Sequence, residues 1–160
     1  MFTDQFIDEP ESRWSYVADT VMGGVSTGSA SFEEEAGVHF VRLTGRVSTE
    51  NNGGFIQVRT RLSDGFPDQT VGISLRARGN GETYYVFLRS RKGTRPWHSY
   101  RARFTAGDEW TIINLPLASF ARSRDAIPDS IEATDVTGIG IVAYGSDFEA
   151  DVSVAEISLY

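Results

Sequence analysis

The sequence contains no cysteine, which removes disulfides, thiolate nucleophiles and cysteine-ligated zinc or iron–sulfur centres together. Histidine is nearly absent as well. The two present, His39 and His98, fall in different predicted segments and in no Ser-His-Asp arrangement, so acid–base or nucleophilic catalysis has few candidates and no enzyme is expected. His39 alternates with Val41 and Leu43 and reads as a core or border residue. No apolar run approaches the roughly 18 residues of a membrane helix. The opening MFTDQFIDEPESRW is acidic where a secretory or mitochondrial leader is basic, so a cytoplasmic protein without membrane insertion is expected. Helix signals are scarce, the one expected turn running from Leu117 to Ala121 after Pro116, and Arg122 to Asp135 reads as a surface loop. Lysine occurs once among 15 basic residues, the rest being arginine.

What the sequence has in quantity is turn and strand chemistry: 16 glycines, 12% aromatic residues and an ordinary 40% of hydrophobic ones in 160 residues. This length suits one domain over 1–160 with a real core. Period-two alternation recurs in GVHFVRLTGRV, GFIQVRTRL, TVGISLRARG, TYYVFLRSRK, SYRARF, WTIINLPL, VTGIGIVAYG and VSVAEISLY, separated by turns such as Asn51-Asn52-Gly53-Gly54 and Gly79-Asn80-Gly81. About eight short strands at this spacing predict an all-β chain folded as a β-sandwich or jelly roll.

Charge is unevenly distributed within a net −7: from Phe55 to Phe104 ten basic residues stand against three acidic ones. The strand phase puts Ile56, Val58 and Leu62 on one face, with Gln57, Arg59 and Arg61 on the other. By the same alternation Val71, Ile73, Leu75 and Ala77 point inward and Arg76 and Arg78 outward. Tyr84, Val86 and Leu88 oppose Tyr85, Phe87, Arg89 and Arg91. Tyr100, Ala102 and Phe104 oppose Arg101 and Arg103. Arginines on polar sheet faces are commonly solvated cover. The preference for arginine over lysine favours instead a docking face for carboxylate or phosphate, built from Arg59, Arg76, Arg78, Arg89, Arg101 and Tyr85.

Two Gly-Gly pairs, in DTVMGGVSTG and NNGGFIQVR, invite comparison with a phosphate loop. No Lys-Ser/Thr pair, GxGxxG spacing or helix follows them. Sharp corners entering strands explain them better, with positive φ expected at Gly24 and Gly53. No cofactor is implied.

The motifs Trp14, Asp19 and Met22-Gly23-Gly24-Val25-Ser26, then Asn52-Gly53-Gly54-Phe55 running to Arg59, together with Trp110 through Pro116 to Phe120 and the closing VSVAEISLY, resemble the complex I intermediate-associated protein 30 family over nearly the whole chain. The resemblance implies a galactose-binding-domain-like sandwich. It also implies a part in assembly of respiratory complex I, with photosynthetic assembly and RNA-associated roles among other relatives.

Two weaker features remain. Asp147, Glu149 and Asp151 alternate as three oxygen ligands for Ca²⁺ would, and equally as an acidic hairpin corner would. Trp97, beside Arg95, Pro96 and His98, forms an aromatic-basic loop able to stack on a sugar or base, or to close the core. The expected role is therefore a non-enzymatic binding or assembly-factor domain for a protein with an anionic surface. Carbohydrate or another small ligand is the alternative occupant, and the acidic overall charge argues against nucleic acid.

Overall fold

The computed structural model describes residues 3–160. Twelve strands form two antiparallel six-stranded sheets, and no α-helix occurs among the described residues. In chain order they are β1 (Thr3–Asp4), β2 (Trp14–Ala18), β3 (Thr27–Glu35), β4 (Val38–Val47), β5 (Phe55–Arg61) and β6 (Gly72–Gly79). There follow β7 (Thr83–Ser90), β8 (Tyr100–Thr105), β9 (Thr111–Pro116), β10 (Ala121–Arg122), β11 (Val136–Tyr144) and β12 (Phe148–Leu159). Sheet I has the order β3-β4-β12-β6-β9, with β1 also pairing to β12, and sheet II the order β10-β8-β7-β11-β5-β2. This is the expected all-β sandwich of jelly-roll type.

All eight alternating segments are strands, and their inward faces meet as anticipated. Ile73, Leu75 and Ile157 of sheet I pack against Val86, Ile139 and Ile141 of sheet II. Each is at most 2% exposed, and burying such a side chain contributes roughly 1.5–3 kcal/mol. The sequence reading departs from the structure in several places, among them the segment from Arg122 to Asp135, which buries Ile127, Ile131 and Ala133 in the core instead of forming a surface loop. Glu33-Glu34-Glu35 ends β3, an edge strand that the alternation rule misses because its only sizeable apolar residue is Phe32. Such charged edges discourage pairing with other chains. Ala36 and Gly37, both at positive φ, turn β3 into β4 as a two-residue hairpin requires. Val71 is 59% exposed rather than inward, because pairing in β6 begins only at Gly72. The turn after Pro116 is a single 3₁₀ turn, Leu117–Ser119.

Between β4 and β12 the chain passes repeatedly from one sheet to the other: β5 lies in II, β6 in I, β7 and β8 in II, β9 in I, β11 in II. That alternation decides where the arginines go.

Candidate functional site

The two Gly-Gly segments meet around one carboxylate. Asp19 is fully buried. Its Oδ1 accepts the Ser26 backbone N–H at 3.0 Å. Its Oδ2 accepts the Ser26 hydroxyl at 2.6 Å and the backbone N–H groups of Gly54 at 2.6 Å and Phe55 at 3.2 Å. Ser26 Oγ in turn accepts the Ser48 N–H at 2.9 Å. The loops after β2 and before β5 are thus knotted through a single ionised side chain, as buried charge demands.

The glycines divide the labour differently from the sequence expectation. Positive φ falls on Gly23 (87°) and Gly54 (123°), not on Gly24 and Gly53. Those two are glycine because a Cβ would stand 2.4 Å from Asp19 Cγ at position 24 and 2.5 Å from Asp19 Oδ2 at position 53. Each pair therefore supplies one residue for the corner and one for close approach to the carboxylate.

A second buried carboxylate, Asp4, anchors the opposite flank of β2. It accepts the indole N–H of Trp14 at 2.8 Å, the backbone N–H of Phe6 at 2.8 Å and Arg13 Nη2 at 2.9 Å. Trp14 packs on Phe6 with ring centroids 5.2 Å apart.

At both Asp19 and Asp4, burial pushes the pKa up, but the hydrogen bonds together outweigh it and hold the carboxyl below its ordinary value of 3.8. A carboxyl whose folded pKa is depressed stabilises the fold above the unfolded pKa, and that contribution is lost as pH falls through the folded value. Urea midpoints should therefore stay level from pH 7 to about 5 and fall below about pH 4. The double variant Asp4→Asn/Asp19→Asn, less stable at neutral pH, should lose much of that acid slope. An unchanged slope would assign it to other carboxylates.

Beside this scaffold lies the outer face of sheet II. Its register places Arg59 opposite Gly140 opposite Phe87 opposite Arg101, and in the neighbouring row Arg61 opposite Gly138 opposite Arg89. Four arginines thus stand around two glycines and one phenylalanine. With strands about 4.8 Å apart, Arg61 and Arg89 are separated by about 10 Å across β11. The groove between them has a volume of about 500 Å³ and is lined also by Phe87 and by Pro96 of the β7–β8 loop. Tyr144 packs edge-on against Tyr85 and Phe87 at 4.5 and 5.2 Å, and the Arg101 guanidinium lies 4.4 Å from the centre of the Phe87 ring.

No Asp or Glu occupies an outward position of this sheet. Among the described residues, Arg59, Arg61, Arg89 and Arg101 have no carboxylate partner within salt-bridge distance. Burial first, then the charges of Arg59, Arg101 and Arg61, hold the Arg89 guanidinium below its ordinary pKa.

Arg76 and Arg78, expected on the same face, lie across the sandwich on sheet I, because β6 pairs with β12 and β9. Arg78 makes two hydrogen bonds to Glu35, at 2.9 and 3.2 Å, and lies 4.6 Å from the Trp110 ring. Arg42 holds Asp151 in the same forked manner, and Arg46 pairs with Glu149 at 3.5 Å. On sheet I, Arg42, Arg46 and Arg78 are thus paired with carboxylates, whereas Arg76 has no carboxylate within salt-bridge distance among the described residues and lies 5.5 Å from the centre of the Trp110 ring.

That network also answers the metal reading of Asp147, Glu149 and Asp151. Asp151 and Glu149 are committed to Arg42 and Arg46, and Asp147 accepts the N–H and hydroxyl of Thr49 at 2.6 and 2.9 Å. No cluster able to hold a metal ion forms among the described residues.

Of the remaining candidates, Trp97 is 49% exposed and follows Pro96, which lines the groove. His98 is buried, its Nδ1 accepting the N–H groups of Thr94 and Arg95, so it braces the loop. Met22 is 60% and Val21 74% exposed, held outward by the Asp19 knot. The sequence reading missed Tyr144, Gly138 and Gly140 as parts of the site. The signal for the two glycines lay in VTGIGIVAYG, since glycine in a strand interior marks close approach.

No helix among the described residues is long and apolar enough to cross a membrane, and no curated protein matches the sequence. Solved structures of similar architecture include the family 11 carbohydrate-binding module from Clostridium thermocellum in complex with a beta-1,3-1,4-mixed-linked tetrasaccharide. That likeness has a TM-score of 0.76 and 18% identity over 98% of this chain and 92% of that one. A family 30 carbohydrate-binding module aligns at TM-score 0.61 and 13% identity, covering both chains fully. An exo-beta-agarase aligns at 0.64 and 7% identity over all of this chain and 25% of that enzyme. At these identities the likeness is one of fold. The motif residues say more: Asp19 ties the two Gly-Gly corners into one knot while Asp4 holds Trp14, and residues 3–154, which contain them, match the model of the complex I intermediate-associated protein 30 family, to which this chain belongs.

Proposed function

We propose that the chain, acting as one domain, is a non-catalytic assembly-factor module that docks a protein with an acidic surface on the outer face of sheet II. The observation that carries this reading is the contrast between the two sheets. Three of the four arginines on sheet I, Arg42, Arg46 and Arg78, are ion-paired within the molecule, whereas on sheet II Arg59, Arg61 and Arg89 line a groove, with Arg101 across Phe87 from it, and no carboxylate stands on their face. Like charges gathered without counter-ions destabilise the free protein and favour an anionic partner. The family's association with complex I assembly supports a respiratory complex subunit or intermediate as that partner.

The test is capture of partners from a lysate of the native source, read by mass spectrometry, with Arg59→Gln/Arg89→Gln compared with Arg76→Gln/Arg78→Gln. The sheet II pair should weaken capture at least about tenfold, and salt raised from about 50 to 500 mM should weaken wild-type capture too. Melting of the sheet II variant should not be lower than wild type, since the two substitutions break no ion pair and relieve like-charge repulsion. Equal loss from both pairs, or capture indifferent to both and to salt, rejects the face.

A second reading, carbohydrate binding, is favoured by the fold of the neighbour that holds a tetrasaccharide and by Tyr85 and Trp97 near the groove. Against a neutral sugar stands Arg101, which already covers Phe87. Glycan-array binding that survives Arg59→Gln/Arg89→Gln would favour it.

A further inference from the structure

The sheet II groove is more specific than a basic patch. Its two walls, β5 and β7, each carry guanidinium groups, Arg59 and Arg61 on one and Arg89 on the other, and its floor is the β11 strand at Gly138 and Gly140. The floor's backbone groups are engaged in pairing with β5 and β7 on either side, so arginine forks supply the donors facing a ligand. Arg101 stands outside the lining, its Nε donating to Ser99 Oγ at 2.9 Å and its guanidinium lying between the Phe87 and Tyr144 rings, and adds a fourth positive charge nearby.

Opposed forks set a geometric requirement. A carboxylate is planar and presents two oxygens in one plane, which suits a single fork approached head-on. A phosphate group is tetrahedral, carries close to two charges near neutral pH, and offers three terminal oxygens that can accept from walls on both sides. One carboxylate would leave most of three positive charges uncompensated in a groove one strand wide. A phosphate or diphosphate group brings the required charge in a compact volume.

We infer that the groove lined by Arg59, Arg61 and Arg89 over Gly138 and Gly140 is a binding site for a phosphate or diphosphate group. The inference rests on sheet II being the binding face. The chemistry is shared by a free phosphate ester and by a phosphorylated side chain of a docked protein. Depression of the Arg89 pKa by burial and its neighbours accords with a site whose charges are compensated only when it is filled.

The experiment is isothermal titration calorimetry of the full chain at low salt, with pyrophosphate, succinate and acetate as probes. Pyrophosphate should bind at least about tenfold more tightly than succinate, and acetate should give no measurable heat. Arg89→Gln and Arg59→Gln should each weaken pyrophosphate at least about tenfold, while Arg78→Gln on sheet I leaves it unchanged. Arg89→Lys keeps the charge without the fork and should recover only part of the affinity, which distinguishes recognition from bulk attraction. A phosphoserine peptide titrated against its unphosphorylated twin distinguishes the sources: gain on phosphorylation assigns the site to a modified partner, and pyrophosphate binding without that gain assigns it to a free ester. Equal affinity for succinate and pyrophosphate, or equal loss in Arg78→Gln, overturns the inference. If pyrophosphate fails to bind while Arg59→Gln/Arg89→Gln still abolishes protein capture, the phosphate site is rejected and the docking face stands. If pyrophosphate binds and no acidic protein is captured, the docking reading falls and the phosphate site stands.

Discussion

Asp19→Ala should lower the unfolding free energy at pH 7 by about 3–5 kcal/mol, the largest loss expected from any single polar side chain in the molecule. The substitution removes four hydrogen bonds to an ionised acceptor. It also strands the Ser26 and Gly54 N–H groups, each worth about 1–3 kcal/mol when left buried and unpaired. In a chain of this length such a loss lowers Tm by about 10 °C. Asp19→Asn should fall between, because an amide retains the oxygen facing Gly54 but turns an NH₂ group towards one of the other donors. Urea denaturation monitored by tryptophan fluorescence reads all three proteins. A loss below about 1 kcal/mol for Asp19→Ala would mean that water replaces the carboxylate and the knot is not what fixes the two corners.

Gly53→Ala should be nearly as damaging, at about 2–4 kcal/mol, although it adds one methyl group. The φ at Gly53 is −81°, so the cost is not that of a left-handed backbone. It arises because the new Cβ would lie 2.5 Å from Asp19 Oδ2 and 2.9 Å from Asp19 Cγ. This cause makes a second prediction within the first. In an Asp19→Ala background those two atoms are gone, and Gly53→Ala should cost at least about 1 kcal/mol less than in the wild type. Gly54 provides the contrast. Its φ of 123° makes any side chain strained, at about 1–3 kcal/mol, and that cost should be the same with or without Asp19. A cycle in which Gly53 and Gly54 couple equally to Asp19 would show that the two glycines do not have the separate roles assigned to them.

Much of this architecture was legible one strand at a time. The alternation in TYYVFLRSRK identifies Tyr84, Val86 and Leu88 as core and Tyr85, Phe87 and Arg89 as outer face because a side chain's direction in a strand depends only on parity. The same local rule failed for TGSASFEEE, where an edge strand half-open to solvent carries no hydrophobic alternation to detect. The Gly-Gly motifs could be read as corners, since turn chemistry is also local. Which glycine turns and which makes room could not, because the answer depends on where the Asp19 carboxylate comes to rest against both Gly24 and the distant Gly53.

Composition, parity and turn residues by themselves determined an all-β chain, an outward set of arginines and a family signature, each a property of a segment and its immediate neighbours. Only the tertiary structure decided that Arg59, Arg61, Arg89 and Arg101 share a face while Arg76 and Arg78 do not. Strand pairing in a jelly roll joins segments distant in sequence and sends β6 to the sheet opposite β5 and β7. Identical outward parity on successive strands therefore leads to opposite surfaces of the molecule. Coulomb energy depends on distance through space, so the sequence could count the charges, but only the fold could separate the arginines that are neutralised from those left without a partner.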